Sequence, residues 1–250
     1  MKIAISQPTY LPWIGYFDLI DQVDRFVLLD DAQFVKQSWD QRNRIKTPNV
    51  MQWLTVPVIF RGRLGQRLCD VEIRDPRFFE KHLRAFEVNY GKAHFFDVYF
   101  PRVRDILQHC GPGSKLVDLN LELIQWIASE LELTTPMVRS SSLHVEGKRS
   151  ERLVSICKLM GANEYLSPRT ASYLLDDLSI FAHAGVRVWF HNYSHPEYRQ
   201  RFPPFCPYAS ILDLMFNEGP RSLEIIRSGR GEPLTAEQIR VMPAEFEASI

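Results

Sequence analysis

Apolar and polar positions alternate in short runs at both ends of the chain and follow helical spacing in the middle. Lys2–Ser6 is a short apolar strand, and a Pro-containing loop, Gln7–Pro12, follows it. Gly15–Gln22 then places Phe17, Leu19 and Ile20 on one side of a helix. The next apolar run, Phe26–Leu29, ends in Asp30-Asp31. Strand, loop, helix and strand in this order outline a βαβ unit.

Trp53–Val58 and Val71–Ile73 read as β-rich, with the basic, turn-rich Arg61–Arg67 between them. From Pro76 to about Leu133 the spacing predicts helices over Phe78–Asn89, His94–His109 and Lys115–Glu132. A second α/β stretch begins near Glu151: helix Arg152–Met160 with Gly161 as C-cap, strand Glu164–Leu166, and loop Ser167–Thr170. Helical Ala171–Leu175 and Leu178–Ala184 then lead to strand Val186–Phe190. A helix is expected near Ile211–Phe216, and the tail beyond Arg227 is expected to be peripheral. The pattern predicts an α/β, Rossmann-like parallel sheet flanked by helices, formed as one domain over 1–250. Its core comes from about 1–75 and 134–227, with a helical cap over about 76–133.

Composition narrows the function classes. Of 250 residues, 45% are hydrophobic and 24% charged, the balance of a soluble globular chain. Thirty basic and 30 acidic residues cancel, so bulk charge points to neither nucleic acid nor a membrane surface. No signal peptide or membrane span is read, and cytoplasmic residence is the expectation. Cys69, Cys110, Cys157 and Cys206 are far apart with no metal-ligand spacing. GxGxxG, Walker, GxSxG and HExxH motifs are absent, and no particular cofactor is implied.

Four constellations can carry chemistry. In the first, Asp30, Asp31, Gln33, Lys36, Arg42, Asn43, Arg44 and Lys46 combine carboxylates, an amide and cations beside Phe34 and Trp39, which suits an anionic sugar ligand. In the second, His191–Gln200 follows a predicted strand; His195 is preferred over His191 as general base, with Tyr198 and Gln200 to orient it or the substrate. In the third, Ser210 and Asp213 read as an N-cap pair, or Asp213 faces inward and joins His195 in a dyad. The fourth, Ser167–Thr170, is a strand-to-helix loop that could cradle an anion or simply cap the helix. Gln7, Tyr10, Asp30, Lys36, Arg42, Asn43, His195, Tyr198 and Gln200 are expected to line one cleft at the strand C-termini.

Taken together, QPTYLPWIGYF (Gln7–Phe17), DRFVLLDDAQFVKQSWDQRNRIK (Asp24–Lys46), WLTVPV (Trp53–Val58), NEYLSP (Asn163–Pro168), HPEYRQRFPPF (His195–Phe205) and SILDLMFNEG (Ser210–Gly219) resemble the WbqC-like protein family. That family is associated with bacterial O-antigen and other surface-polysaccharide gene clusters. The resemblance spans about residues 2–227 and implies, as one suggestion attached to the family, glycine (aminoacyl) transfer onto a sugar of the O-antigen, with no settled catalytic set. A second resemblance, in fold, is to the start of HIGH-type nucleotidylyltransferases and pantoate–amine ligases. There the signature position reads Trp13-Ile14-Gly15-Tyr16 and lacks both histidines, while the glycine would let a nucleotide approach the helix.

The leading expectation is therefore an amide-forming acyl or aminoacyl transferase acting on an amino sugar, nucleotide-linked, with a separate acyl donor as partner. Lys36, Arg42, Arg44 and Lys46 would hold phosphates; His195, Asp30 or Asp31 would take the proton; Asn43, Gln7 or backbone amides would stabilise the oxyanion. The alternatives are an ATP-dependent ligase or nucleotidyl transferase using magnesium on Asp30 or Asp31, and a non-catalytic sugar-nucleotide binding module.

Overall fold

The computed structural model describes residues 1–169 and 171–241. The first half runs β1 (Lys2–Ser6), α1 (Ile14–Asp21), β2 (Arg25–Leu28), β3 (Arg42–Lys46), β4 (Met51–Thr55), α2 (Phe78–Tyr90), α3 (Phe96–Gln108) and α4 (Leu116–Glu130). The second runs β5 (Met137–Arg139), α5 (Arg149–Leu159), β6 (Glu164–Ser167), α6 (Leu178–His183), β7 (Arg187–Phe190), α7 (Ile211–Glu218), α8 (Ser222–Ser228) and α9 (Ala236–Val241).

A five-stranded sheet has the order β5-β2-β1-β6-β7, and every neighbouring pair is parallel. The alternation along β1 divides the protein into three layers. Ala4 points into one apolar core with Phe26, Leu28 and Leu166. Ile3 and Ile5 point into the other with Val27, Tyr165 and residues of α5 and α6. Helices α2, α3 and α4 share the first core with the sheet and with α1 and α7. The connection order reverses between β1 and β6, which opens a crevice at their C-terminal ends. Among the described residues no helix is long and apolar enough to cross a membrane.

Several elements differ from expectation. Arg42–Lys46 is β3, paired antiparallel with β4 as a separate two-stranded ribbon. Its charged residues hide the strand, but Asn43 and Ile45 face inward and are buried. The β4 strand ends at Thr55, before Pro57, and Val71–Ile73 forms only isolated bridges. The three-residue edge strand β5 is too short and too exposed to carry a pattern. Ser172–Asp176 is a 3-10 turn, and Thr170 lies outside the described residues, as do 242–250. The tail as far as Val241 is not peripheral: Leu234 bridges Phe190, and Arg230 reaches α1.

Candidate functional site

A cavity of about 290 Å³ lies in the crevice between β1 and β6. The end of β1 (Ser6), the start of α1 (Trp13, Gly15, Tyr16), the loop after β6 (Pro168, Arg169) and the segment after β7 (His191, Tyr193) form its wall. Trp39, Asn43 and Tyr208 complete it. Trp13, Tyr16, Trp39, Tyr193 and Tyr208 give this wall aromatic surface, as suits a ring with one apolar face.

The loop that enters the cavity is fixed backbone by backbone. Leu11 takes a left-handed φ of 45°. Asn43 Nδ2 donates to Tyr10 O at 3.2 Å and to Leu11 O at 2.7 Å, and Asn120 Nδ2 donates to Pro8 O at 2.8 Å. Tyr16 OH donates to Gln7 O at 3.1 Å. Tyr10 is buried, its hydroxyl 2.8 Å from His82 Nδ1. Asn43 therefore lines the cavity with both amide hydrogens already used, and it cannot also supply the oxyanion donor expected of it.

His191, on the cavity wall, is hydrogen-bonded to Asp18 of α1. His191 Nε2 lies 2.7 Å from Asp18 Oδ2, and Asp18 Oδ1 accepts from Arg230 Nε at 2.8 Å. Asp18 is fully buried in α1 and His191 nearly so. An arginine-paired carboxylate accepts, so Nε2 carries the proton and Nδ1 is the basic nitrogen. Nδ1 has no hydrogen-bond partner among the described residues. Arg227 and Arg230 also pair with Asp21, which anchors the far end of the chain on α1.

His195, the base expected from sequence, sits behind this wall. Trp13, Tyr198, Phe205 and Tyr208 surround its ring at centroid distances of 5.2–6.2 Å. Its Nδ1 donates to Pro196 O at 2.9 Å, and Nε2 is buried without a partner. Burial brings the imidazole down to about 4, against the opposing pull of the Pro196 hydrogen bond. No dyad with Asp213 forms. Asp213 Oδ1 accepts from Tyr90 OH at 2.7 Å, and Oδ2 accepts from Tyr198 OH at 2.7 Å and Gln200 Nε2 at 2.9 Å. Burial raises the Asp213 pKa, and those three donors oppose the shift. Ser210 does cap α7, accepting from Leu212 N at 3.3 Å.

Asp30 and Asp31 join β2 to the segment after β5. Asp30 accepts from Ser141 N at 2.9 Å, Ser141 Oγ at 2.8 Å and Arg139 Nε at 2.7 Å. Asp31 accepts from Ser140 Oγ at 2.6 Å and pairs with Arg152. Burial works to raise the Asp30 pKa, but the Ser141 and Arg139 hydrogen bonds prevail and hold it below the usual carboxylate range. Neither acid is on the cavity wall.

The cationic run divides as well. Lys36 is exposed, 4.2 Å from the Phe60 ring, and Gln33 is exposed beside Arg67. Lys46 is buried, its Nζ 3.3 Å from Cys206 Sγ. Arg42 and Arg44 stack on Trp53 and Trp39. Of the residues expected to share one cleft, Asn43 alone is on the cavity wall. Sequence reasoning passed over Tyr208 on the wall and Asp18 beside it, and it ranked His191 below His195. Two signals pointed to Asp18 and His191: an acid inside the apolar stripe of α1, and a histidine directly after a strand.

Gly15 offers no phosphate approach to α1. A Cβ there would lie 2.3 Å from Trp13 Cη2, so the indole occupies the face that the nucleotidylyltransferase resemblance left open. This is an α/β protein of Rossmann-like topology with an aromatic, histidine-bearing cavity at its switch point. The WbqC-like protein family model matches residues 7–225, and the chain belongs to that family. It is 37% identical, over 235 residues, to an uncharacterized protein of Mycobacterium tuberculosis, covering 90% of this chain and 97% of the relative. No solved structure matches.

Proposed function

We propose that this protein is an amide-forming acyl or aminoacyl transferase acting on an amino sugar, nucleotide-linked, in surface-polysaccharide biosynthesis. The observation that carries this reading is His191, set on an aromatic cavity wall with Nε2 held by Asp18 and Nδ1 left for a substrate proton. A base oriented by a carboxylate is what an attacking amine requires. The ammonium would first release one proton to solvent; the free amine nitrogen would then form the C–N bond and lose a second proton to Nδ1. The bond from the acyl carbon to its leaving group would break, and the leaving group would take the proton back. Thr9 and Tyr208 bring wall hydroxyls with no partner among the described residues, candidates to donate to the oxyanion. Aromatic faces support a sugar or base ring.

Incubating the protein with nucleotide-linked amino sugars and acyl or aminoacyl donors, with and without ATP, tests the reading by mass spectrometry. An amide product that needs no ATP supports it. Product only with ATP points to the ligase, and ligand binding without any product points to a binding module.

A further inference from the structure

We propose that the ribbon of β3 and β4 carries the phosphate-binding subsite, formed by Arg42 and Arg44 on a platform of Trp53 and Trp39, and that it takes a phosphate dianion or diphosphate. The inference deepens the transferase reading and rests on it for the role of the anion, not for its binding.

Arg42 and Arg44 are two residues apart on one strand and so share a face, about 7 Å apart along the backbone. The Arg42 guanidinium is 4.1 Å from the Trp53 ring centre. The Arg44 guanidinium is 5.4 Å from Trp53 and 5.2 Å from Trp39. The two indoles are 5.2 Å apart. Stacking fixes each planar fork while leaving its edge for a ligand.

Neither guanidinium has an ion-pair partner among the described residues, and in both the Nε is buried without a hydrogen-bond acceptor. Arg139, Arg152 and Arg230, by contrast, have acids: Arg139 has Asp30, Arg152 has Asp31, and Arg230 has Asp18 and Asp21. Two neighbouring cations partly out of water with unused donors are matched by one doubly charged acceptor. Lys36 and Lys46 do not join them, since one lies over Phe60 and the other under Cys206.

Position supports the same assignment. Trp39 has Arg44 as a neighbour and also lines the cavity, so an anion on the forks is next to a ring in the crevice. The usual phosphate seat of a parallel sheet, the first turn of the helix after the central strand, is covered here by the Trp13 indole. The ribbon supplies a seat away from that helix.

The test is calorimetry of the full-length chain with inorganic pyrophosphate, uridine diphosphate and acetate, with tryptophan fluorescence followed in parallel. Saturable pyrophosphate and nucleoside-diphosphate binding is expected, with acetate far weaker and the indole emission changing on binding. Arg42→Ala and Arg44→Ala should each weaken pyrophosphate at least about tenfold, the loss expected for a charge-assisted hydrogen bond. Arg42→Lys and Arg44→Lys keep the charge but lose the fork, and should weaken it severalfold; they serve if an alanine variant fails to fold. No saturable pyrophosphate binding, acetate binding as tight, or unchanged affinity in all folded variants overturns the proposal. Wild-type protein that binds pyrophosphate yet yields no amide product keeps the subsite and loses the transferase reading. Amide product without pyrophosphate binding does the reverse.

Discussion

Asp18 Oδ2 lies 2.7 Å from His191 Nε2, joining α1 to the segment after β7 across 173 residues of sequence. The pair holds His191 at the cavity wall through Nε2, leaving Nδ1 outside that hydrogen bond. His191→Ala is expected to lower turnover by about 10²–10⁴-fold with substrate affinity largely kept. Turnover measured beside melting temperature decides it, and a stable variant with the wild-type rate removes His191 from the chemistry.

His195 should matter for stability. Its folded pKa of about 4 lies below the ordinary value of 6.5, so on acidification the unfolded chain takes up the proton first. Its contribution is present above about pH 6.5 and is lost as pH falls toward 4. Buried His82, also brought to about 4, acts in the same window. His195→Phe keeps the packing and removes the titration. The drop in melting temperature between pH 7 and pH 4.5 should therefore be smaller in the variant, and an equal drop contradicts the prediction.

Asp40 has the opposite sign. Burial raises it to about 6, with a Ser38 hydrogen bond opposing. The folded state keeps a proton that the unfolded state has released, so stability falls as pH rises from about 4 through 6. Asp40→Asn should gain on the wild type by on the order of 1–2 kcal/mol on going from pH 4 to pH 7.5. Denaturant melts at the two pH values measure this, and a constant difference counts against it.

Asp30 is saturated by Ser140, Ser141 and Arg139, and its lowered pKa means its stabilisation is full above the ordinary carboxylate value and lost as pH falls through the folded one. Asp30→Ala should cost about 2–3 kcal/mol at neutral pH, the loss of charge-assisted hydrogen bonds to a buried carboxylate. Turnover per folded molecule should hold. Lost turnover at unchanged stability would return Asp30 to the reaction.

The sheet was legible where burial leaves a pattern. The runs in β1, β2, β6 and β7 are apolar because the strands are covered on both faces. The β3 strand was not, since Arg42, Arg44 and Lys46 alternate with only two inward residues. In the site, the rule that strand-end loops bind ligands located the crevice, but not which polar groups were already engaged. Asp30, Asp31, Asp213 and Asn43 all read as free chemistry in sequence, and each is bound by partners up to 123 residues away. His195 was favoured for its polar neighbours, yet its Tyr198 is turned to Asp213 and its ring is packed among aromatics.

The cavity wall draws on residues between Ser6 and Asn43 and again between Pro168 and Tyr208, and Asp18 is held by Arg230. On a ribosome, the first strand must wait for most of the chain before its neighbour β6 can pair with it. The cavity is thus complete only once both stretches of the chain are present. A nascent chain halted before residue 168 would have β1, α1 and the arginine ribbon, but neither the histidine nor the opposite wall of the cavity.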